Sequence, residues 1–396
     1  MSNHPALSPC SILPVPPPPS ASTACRLMVV GGFLGAGKTT TMLALARGFE
    51  KVGHRSALIT NDQSAGLVDT AMASDASART GEITGGCFCC RADDLIRLLK
   101  EMGKKYQPTV IIAEPVGSCT DLAATVIGPL KRRLKGALTM APLAVVVDAR
   151  RLWQRYFGKG RPGAALTREV GYIFDKQMEE AEVIVLNKVD LLKNGDVALL
   201  RARTMEVHPR AELVCLSAIN GEGVEVLMSL LTCGDGAPRP IQQIDYALYA
   251  KGESQLGWLN GEWTVDSRDK YDPDRLVLKL ARVIQKTLAA SKKELGHLKV
   301  SLSPETGGLS VANAVTSTVP AQVSVAAGSQ ITGKARLLIN IRAQAAPLVL
   351  RRAVKVALLS FPARMEAQQQ ALAAFRPAAP VPNYVERLSP QNVEAI

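Results

Sequence analysis

Three short strings hold most of the residues that could do chemistry. The first is GGFLGAGKTT at 31–40, where Gly32 is followed, after four residues, by Gly37, Lys38 and Thr39. Glycines at this spacing let backbone N–H groups turn inward around phosphate oxygens, and a helix starting at the lysine adds the positive end of its dipole. The pattern predicts a nucleoside triphosphate site in which Gly32, Gly35 and Gly37 shape the loop. Lys38 reaches the β and γ phosphates, Thr39 holds Mg2+ and Thr40 lies beside it. The second string, NKVD at 187–190, ends an apolar run. Asp190 there can accept from the N1 and exocyclic amine of guanine, which adenine does not offer, while Asn187 and the Lys188 stem frame the ring. Ser217 and Ala218, in LSAING at 216–221, supply a second base-contacting loop.

The third string is GGCFCC at 85–90, with three of the chain's 8 cysteines. A disulfide between Cys89 and Cys90 would be strained, because adjacent residues rarely reach the required Cα separation. Cys87, Cys89 and Cys90 in a glycine-flexed turn can instead converge on a tetrahedral zinc or cobalt ion, leaving a fourth position open. The bland alternative is three small residues packed beside the phosphate loop. Cys119 is a candidate fourth ligand, or simply a core residue. Glu114 and Asp62, each following a predicted strand, are the candidates for holding or orienting the attacking water, with Asp148 a weaker one.

The elements that must position these residues are legible as short apolar runs. RLMVVG is followed by the Gly-rich turn and an amphipathic helix. Further strands are expected at SALIT (56–60), TVIIAE (109–114), LAVVVDA (143–149), EVIVLN (182–187) and AELVCLS (211–217), with helical stretches between them. Fully apolar strands alternating with helices predict an α/β fold: a P-loop nucleotide-binding parallel sheet with helices on both faces. The expected organisation is a disordered Pro-rich segment over 1–25, a nucleotide-binding domain over 26–233 and a linker over 234–245. A smaller α+β C-terminal domain over 246–362 and a tail over 363–396 complete it. In the C-terminal domain a strand is expected around ESQLGWLNGEWTVD (253–266).

Composition narrows the class. The net charge of +12 invites nucleic acid as a partner, but the basic residues are dispersed, as in KRRLK at 131–135, and aromatics are 4% of the chain, so solvated faces are the expectation. No run of about 18 uncharged apolar residues occurs, so no membrane span is predicted. The first residues lack a basic start followed by an unbroken apolar stretch, and the cysteines do not form a secreted disulfide framework. A cytoplasmic protein is expected.

The set GGFLGAGKTT, GGCFCC, NKVD and SAINGEG, in this order, resembles the CobW-type GTPases, which group with the nickel-handling HypB and UreG proteins. The resemblance implies GTP hydrolysis with Mg2+ coupled to delivery of a metal, commonly zinc or cobalt, with the C-terminal domain as client surface. The implied partners are a client metalloenzyme or cobalamin-related protein and, as a GTP-dependent homodimer, a second copy of the chain. The alternative is a chaperone or reactivator of a cobalamin-dependent enzyme with structural cysteines. The chain departs from the family pattern in three places. TNDQSAGLVD puts Asp62 where the family has Glu, AEPVGSCTDL keeps Glu114 but places Pro115 in the turn, and only His297 lies beyond residue 208 where the family is often His-rich.

Overall fold

The computed structural model describes residue 15 and residues 24–61, 79–158, 166–234, 242–317 and 319–386. The expected disordered segment and most of the expected linker lie largely outside these residues.

The N-terminal unit is an eight-stranded parallel sheet. Its strands are β1 (Cys25–Gly31), β2 (Ser56–Asn61), β3 (Thr80–Ile83), β4 (Val110–Ala113), β5 (Leu138–Met140), β6 (Ala144–Asp148), β7 (Val183–Asn187) and β8 (Glu212–Leu216). They are ordered β3-β2-β4-β1-β6-β7-β8, with β5 paired to the start of β1. Strand alternation divides the apolar run of β1 between two layers: Leu27 and Val29 enter one core, Met28 and Val30 the other. Helices Lys38–Lys51 and Val224–Cys233 cover the second core; helices Ala92–Tyr106, Ala149–Phe157 and Arg168–Glu180 cover the first. Burial on both faces is why these strands read as continuous hydrophobic runs. The edge strand β3 and the three-residue β5 are partly exposed and carry no such run.

The C-terminal unit is a six-stranded antiparallel sheet of β9 (Gly257–Tyr271), β10 (Leu295–Pro304), β11 (Ser310–Ala314), β12 (Gln322–Val325), β13 (Ile331–Ala343) and β14 (Met365–Phe375). The order is β12-β11-β10-β13-β9-β14. Helices Pro273–Ala290 and Pro347–Leu358 pack on one face. The first starts cleanly because Asp272 accepts from the N–H groups of Asp274 and Arg275, with Pro273 in the first turn.

Two expectations are corrected here. Residues 365–375, read as tail, form β14, registered on β9 from Met365 opposite Ser267 to Phe375 opposite Trp258. The strand MEAQQQALAAF is exposed along most of its length, so backbone pairing orders it without an apolar alternation. Glu253–Gln255, read as strand, end helix Tyr246–Gln255, which Asp245 caps by accepting from the Leu248 N–H. That helix packs on Arg168–Glu180: a Cβ at Gly252 would lie 2.7 Å from the Glu169 carbonyl oxygen. Among the described residues no helix is long and apolar enough to cross a membrane.

Glu180, at the end of its helix, lies buried beneath the turn that follows β4. It accepts from Thr120 Oγ1 at 3.3 Å and from the Ala123 N–H at 3.4 Å. Burial first, then Asp121, pushes its carboxyl up to about 8. The folded protein therefore holds a proton that the unfolded chain releases near its ordinary value, so stability is fullest below that value and falls as pH rises through about 8. Glu180→Gln keeps an acceptor and removes the titration. Its melting temperature is expected to fall less than that of the wild type between pH 5 and pH 9, by about 2 °C or more in differential scanning calorimetry; parallel pH profiles would refute a protonated Glu180.

Candidate functional site

The phosphate loop is built by close approach. Gly32 (φ 130°), Gly35 (φ 75°) and Gly37 (φ 97°) all occupy the left-handed side of backbone space. At Gly32 a Cβ would lie 2.1 Å from the Val146 carbonyl oxygen, so only glycine fits there. Lys38 and Thr39 open the helix, both buried. Lys38 Nζ donates to the Phe33 carbonyl at 3.4 Å and lies 3.8 Å from Glu114 Oε1. Gly117, in the turn after Glu114, comes so near that a Cβ there would sit 2.9 Å from Lys38 Nζ.

NKVD is tied to this loop. Asn187 Nδ2 donates to the Ala36 carbonyl at 2.9 Å, and Asn187 Oδ1 accepts from the Ala218 N–H at 3.1 Å. One side chain thus links the phosphate loop, the end of β7 and the SAING loop. Lys188 Nζ donates to the Gly35 carbonyl at 2.5 Å and pairs with Asp148 Oδ2 at 2.7 Å. Burial opposes ionisation of Asp148, but Lys188 and Arg151 hold its carboxyl below the usual range. Asp148 also caps helix Ala149–Phe157 by accepting from the Arg150 and Arg151 N–H groups. Its position is therefore beside the lysine of NKVD, engaged as a helix cap. Asp190 is exposed and lines one cleft with Gly35, Gly37, Lys38, Thr39, Thr40, Glu114, Asn187, Lys188 and Ala218. Ser217 shapes its loop, its hydroxyl accepting from the Asn220 N–H at 3.4 Å. Asp62 lies outside the described residues.

The three cysteines converge. Cys87 Sγ is 2.9 Å from Cys89 Sγ and 3.2 Å from Cys90 Sγ, and Cys89 and Cys90 are 3.8 Å apart. A tetrahedral zinc with Zn–S of about 2.3 Å separates its sulfurs by about 3.8 Å, so the triad needs only slight opening to hold such an ion. Asn61 fixes the turn from β2: its amide donates to the Ile83 and Gly86 carbonyls and its oxygen accepts from the Phe88 N–H at 2.9 Å. Phe88 is fully buried between the cysteines and anchors them in the core.

Cys119, also buried, lines the same cavity as Cys87 and Cys90. Interaction with Cys119, then Cys89 and Cys90, holds Cys87 well below the usual thiol range, and Cys90, 3.2 Å from Cys87, is pushed up to about 11. Cys119 and Glu114 sit on the same turn, clamped by Gln177, whose amide donates to the Gly117 and Cys119 carbonyls at 3.1 and 2.7 Å. Sequence reasoning missed Gln177, which lies in an ordinary amphipathic helix, and Gly117, whose only signal was its place in AEPVGSC.

The cluster also borders a cavity of about 380 Å³ shared with Tyr249, Glu253 and residues 375–381. Residues 376–386 run back across the N-terminal unit. The Asn383 N–H donates to the Cys89 carbonyl at 2.8 Å, and Asn383 Oδ1 accepts from the Ala92 N–H at 3.0 Å. Glu386 pairs with Arg133 at 2.8 Å.

The chain that carries the glycine-rich loop, NKVD and the thiol cluster matches, over residues 26–215, the pattern described as the CobW/HypB/UreG nucleotide-binding domain. These residues form a CobW/HypB/UreG domain. The zinc chaperone CobW of Sinorhizobium sp is 29% identical over 228 residues, 52% of this chain and 62% of that protein. The zinc-regulated GTPase metalloprotein activator 1 of Dictyostelium discoideum is 26% identical over 213 residues, 47% of this chain and 44% of that protein. The chain thus spans less than two thirds of the length of these curated relatives. The crystal structure of Zn(II)-bound YjiA GTPase from E. coli aligns with 84% of this chain and 98% of its own, at 18% identity and a TM-score of 0.35. In this CobW/HypB/UreG domain the cysteine turn lies between β3 and helix Ala92–Tyr106, and Glu114 follows β4.

Proposed function

We propose that this protein is a CobW-type metal chaperone that hydrolyses GTP and uses the nucleotide to control a thiolate site for zinc, which it passes to a client metalloenzyme. The observation that carries the reading is the turn after β4. It holds Glu114 at 3.8 Å from Lys38 and carries Cys119, which lines one cavity with Cys87 and Cys90, so a change at the nucleotide phosphates displaces a neighbour of the metal site. Lys38 and the loop N–H groups bind the phosphates, Glu114 orients water, and Asp190 selects guanine. Asp62 joins the water-orienting set, and Mg2+, held by the Thr39 hydroxyl, neutralises phosphate charge. Cys87, Cys89 and Cys90 bind the cargo as thiolates with Cys119 completing four sulfurs. Zinc is preferred over cobalt because sulfur-rich tetrahedral coordination suits it and because the curated relatives carry zinc in their names.

Asp190→Asn tests the nucleotide assignment. The carboxylate pairs with guanine and is left unmatched by adenine, a mismatch worth about 1 to 3 kcal/mol. Wild type is expected to prefer GTP over ATP in kcat/KM by roughly tenfold or more, and the variant to lose most of that preference; equal use of both nucleotides by wild type would refute guanine selection.

A further inference from the structure

The C-terminal sheet brings polar side chains of its own to the nucleotide cleft. Along β10, Leu298, Val300 and Leu302 enter the core beneath the two helices. Alternation therefore turns His297 and Lys299 to the opposite face, toward the phosphate loop. Antiparallel pairing sets Asn313 of β11 opposite Lys299, and all three residues line the same cleft as Lys38, Thr39 and Asp190. The two units are in close contact here. A Cβ at Gly35 would lie 2.6 Å from the Gly296 carbonyl oxygen, and Arg151 Nη2 donates to the Val315 carbonyl at 2.8 Å. Lys299 Nζ donates to Thr39 Oγ1 at 3.4 Å.

We propose that Lys299 is a ligand of the terminal phosphate of the bound triphosphate, supplied to the nucleotide site from the C-terminal sheet. The inference rests on the GTP-binding reading above. Its basis is the contact with Thr39, the residue whose hydroxyl belongs to Mg2+ when nucleotide is bound. Two cations cannot share that oxygen at close range, since like charges a few ångströms apart repel by about 1 kcal/mol or more. The ammonium must then leave the hydroxyl, and the phosphate chain bound in the same cleft would take it up. Charge count selects the end of that chain. A nucleoside diphosphate carries about three negative charges, which Mg2+ and Lys38 together match, whereas a triphosphate brings about one more. Lys299 supplies the cation for that additional charge. The C-terminal sheet thereby registers whether the terminal phosphate is present.

The test is fluorescence titration of the full chain with a labelled non-hydrolysable GTP analogue and with labelled GDP, both with Mg2+ at fixed ionic strength. Wild type is compared with Lys299→Met, which keeps an unbranched stem, and with Lys299→Arg. Lys299→Met is expected to weaken the triphosphate roughly tenfold or more and the diphosphate less than about twofold, with Lys299→Arg recovering most of the loss. Unchanged affinities in a variant with the wild-type melting temperature, or equal weakening of both nucleotides, would overturn the proposal. Failure of wild type to bind either nucleotide would instead overturn the GTP-binding reading.

Discussion

Lys38→Ala is expected to cut GTP turnover by about a hundredfold or more while leaving the fold intact. The ammonium is buried in the phosphate loop, 3.8 Å from Glu114 and close beneath Gly117. No other lysine opens this helix, and a preorganised cation aimed at developing phosphate charge is worth this much when removed. Alanine leaves the Glu114 carboxylate without that lysine, so some loss of stability accompanies the loss of rate. Thr39→Ala provides the control, because it keeps the Lys38–Glu114 pair and removes only the hydroxyl assigned to Mg2+. Both variants are measured by phosphate release, with circular dichroism as the check on the fold. Turnover persisting in both would refute the assignment of the loop.

The second large effect is expected at the thiols. Replacing Cys87, Cys89 and Cys90 together with serine removes three sulfurs that already lie within 2.9 to 3.8 Å of one another. Loss of an outer-shell partner alone typically costs 10–100-fold in metal affinity, so loss of three direct ligands is expected to weaken zinc by roughly a thousandfold or more. A cobalt(II) titration supplies the optical readout, since wild type is expected to show a sulfur-to-metal charge-transfer band that the variant lacks. Only Cys87 is held below the usual thiol range, whereas Cys90 stands at about 11. Metal uptake must therefore expel protons from the remaining thiols, and affinity is expected to fall as pH is lowered. Identical spectra from wild type and variant would show that the cysteines are packing residues.

The parts of this molecule that were legible in the sequence are those whose physics is local. A left-handed glycine before a helix, a buried apolar strand and three cysteines in one turn are each fixed by a few neighbouring residues. The parallel sheet follows from them, because each run needs cover on both faces. What was not legible depends on distant partners. β14 is polar and exposed and gains its order only from β9. Cys119 read as a ligand or as a core cysteine until the turn after β4 placed it on one cavity with Cys87. Lys299 sat in an alternating strand whose polar face had no evident destination.

Asn383 has a consequence for how the chain comes to be assembled. Helix Ala92–Tyr106 has no side-chain cap at its own start, and the oxygen that accepts from its Ala92 N–H comes from a residue 291 positions later. The same residue bonds the Cys89 carbonyl. During synthesis from the N-terminus, the cysteine turn therefore emerges long before the residue that closes it, and through that interval its thiols stand beside an uncapped helix end. The cavity beside the thiols takes its final walls only when residues 375–381 have crossed it. Under the proposed function, loading on the ribosome and loading of the finished protein would thus meet two different sites, one without and one with the walls that residues 375–381 add.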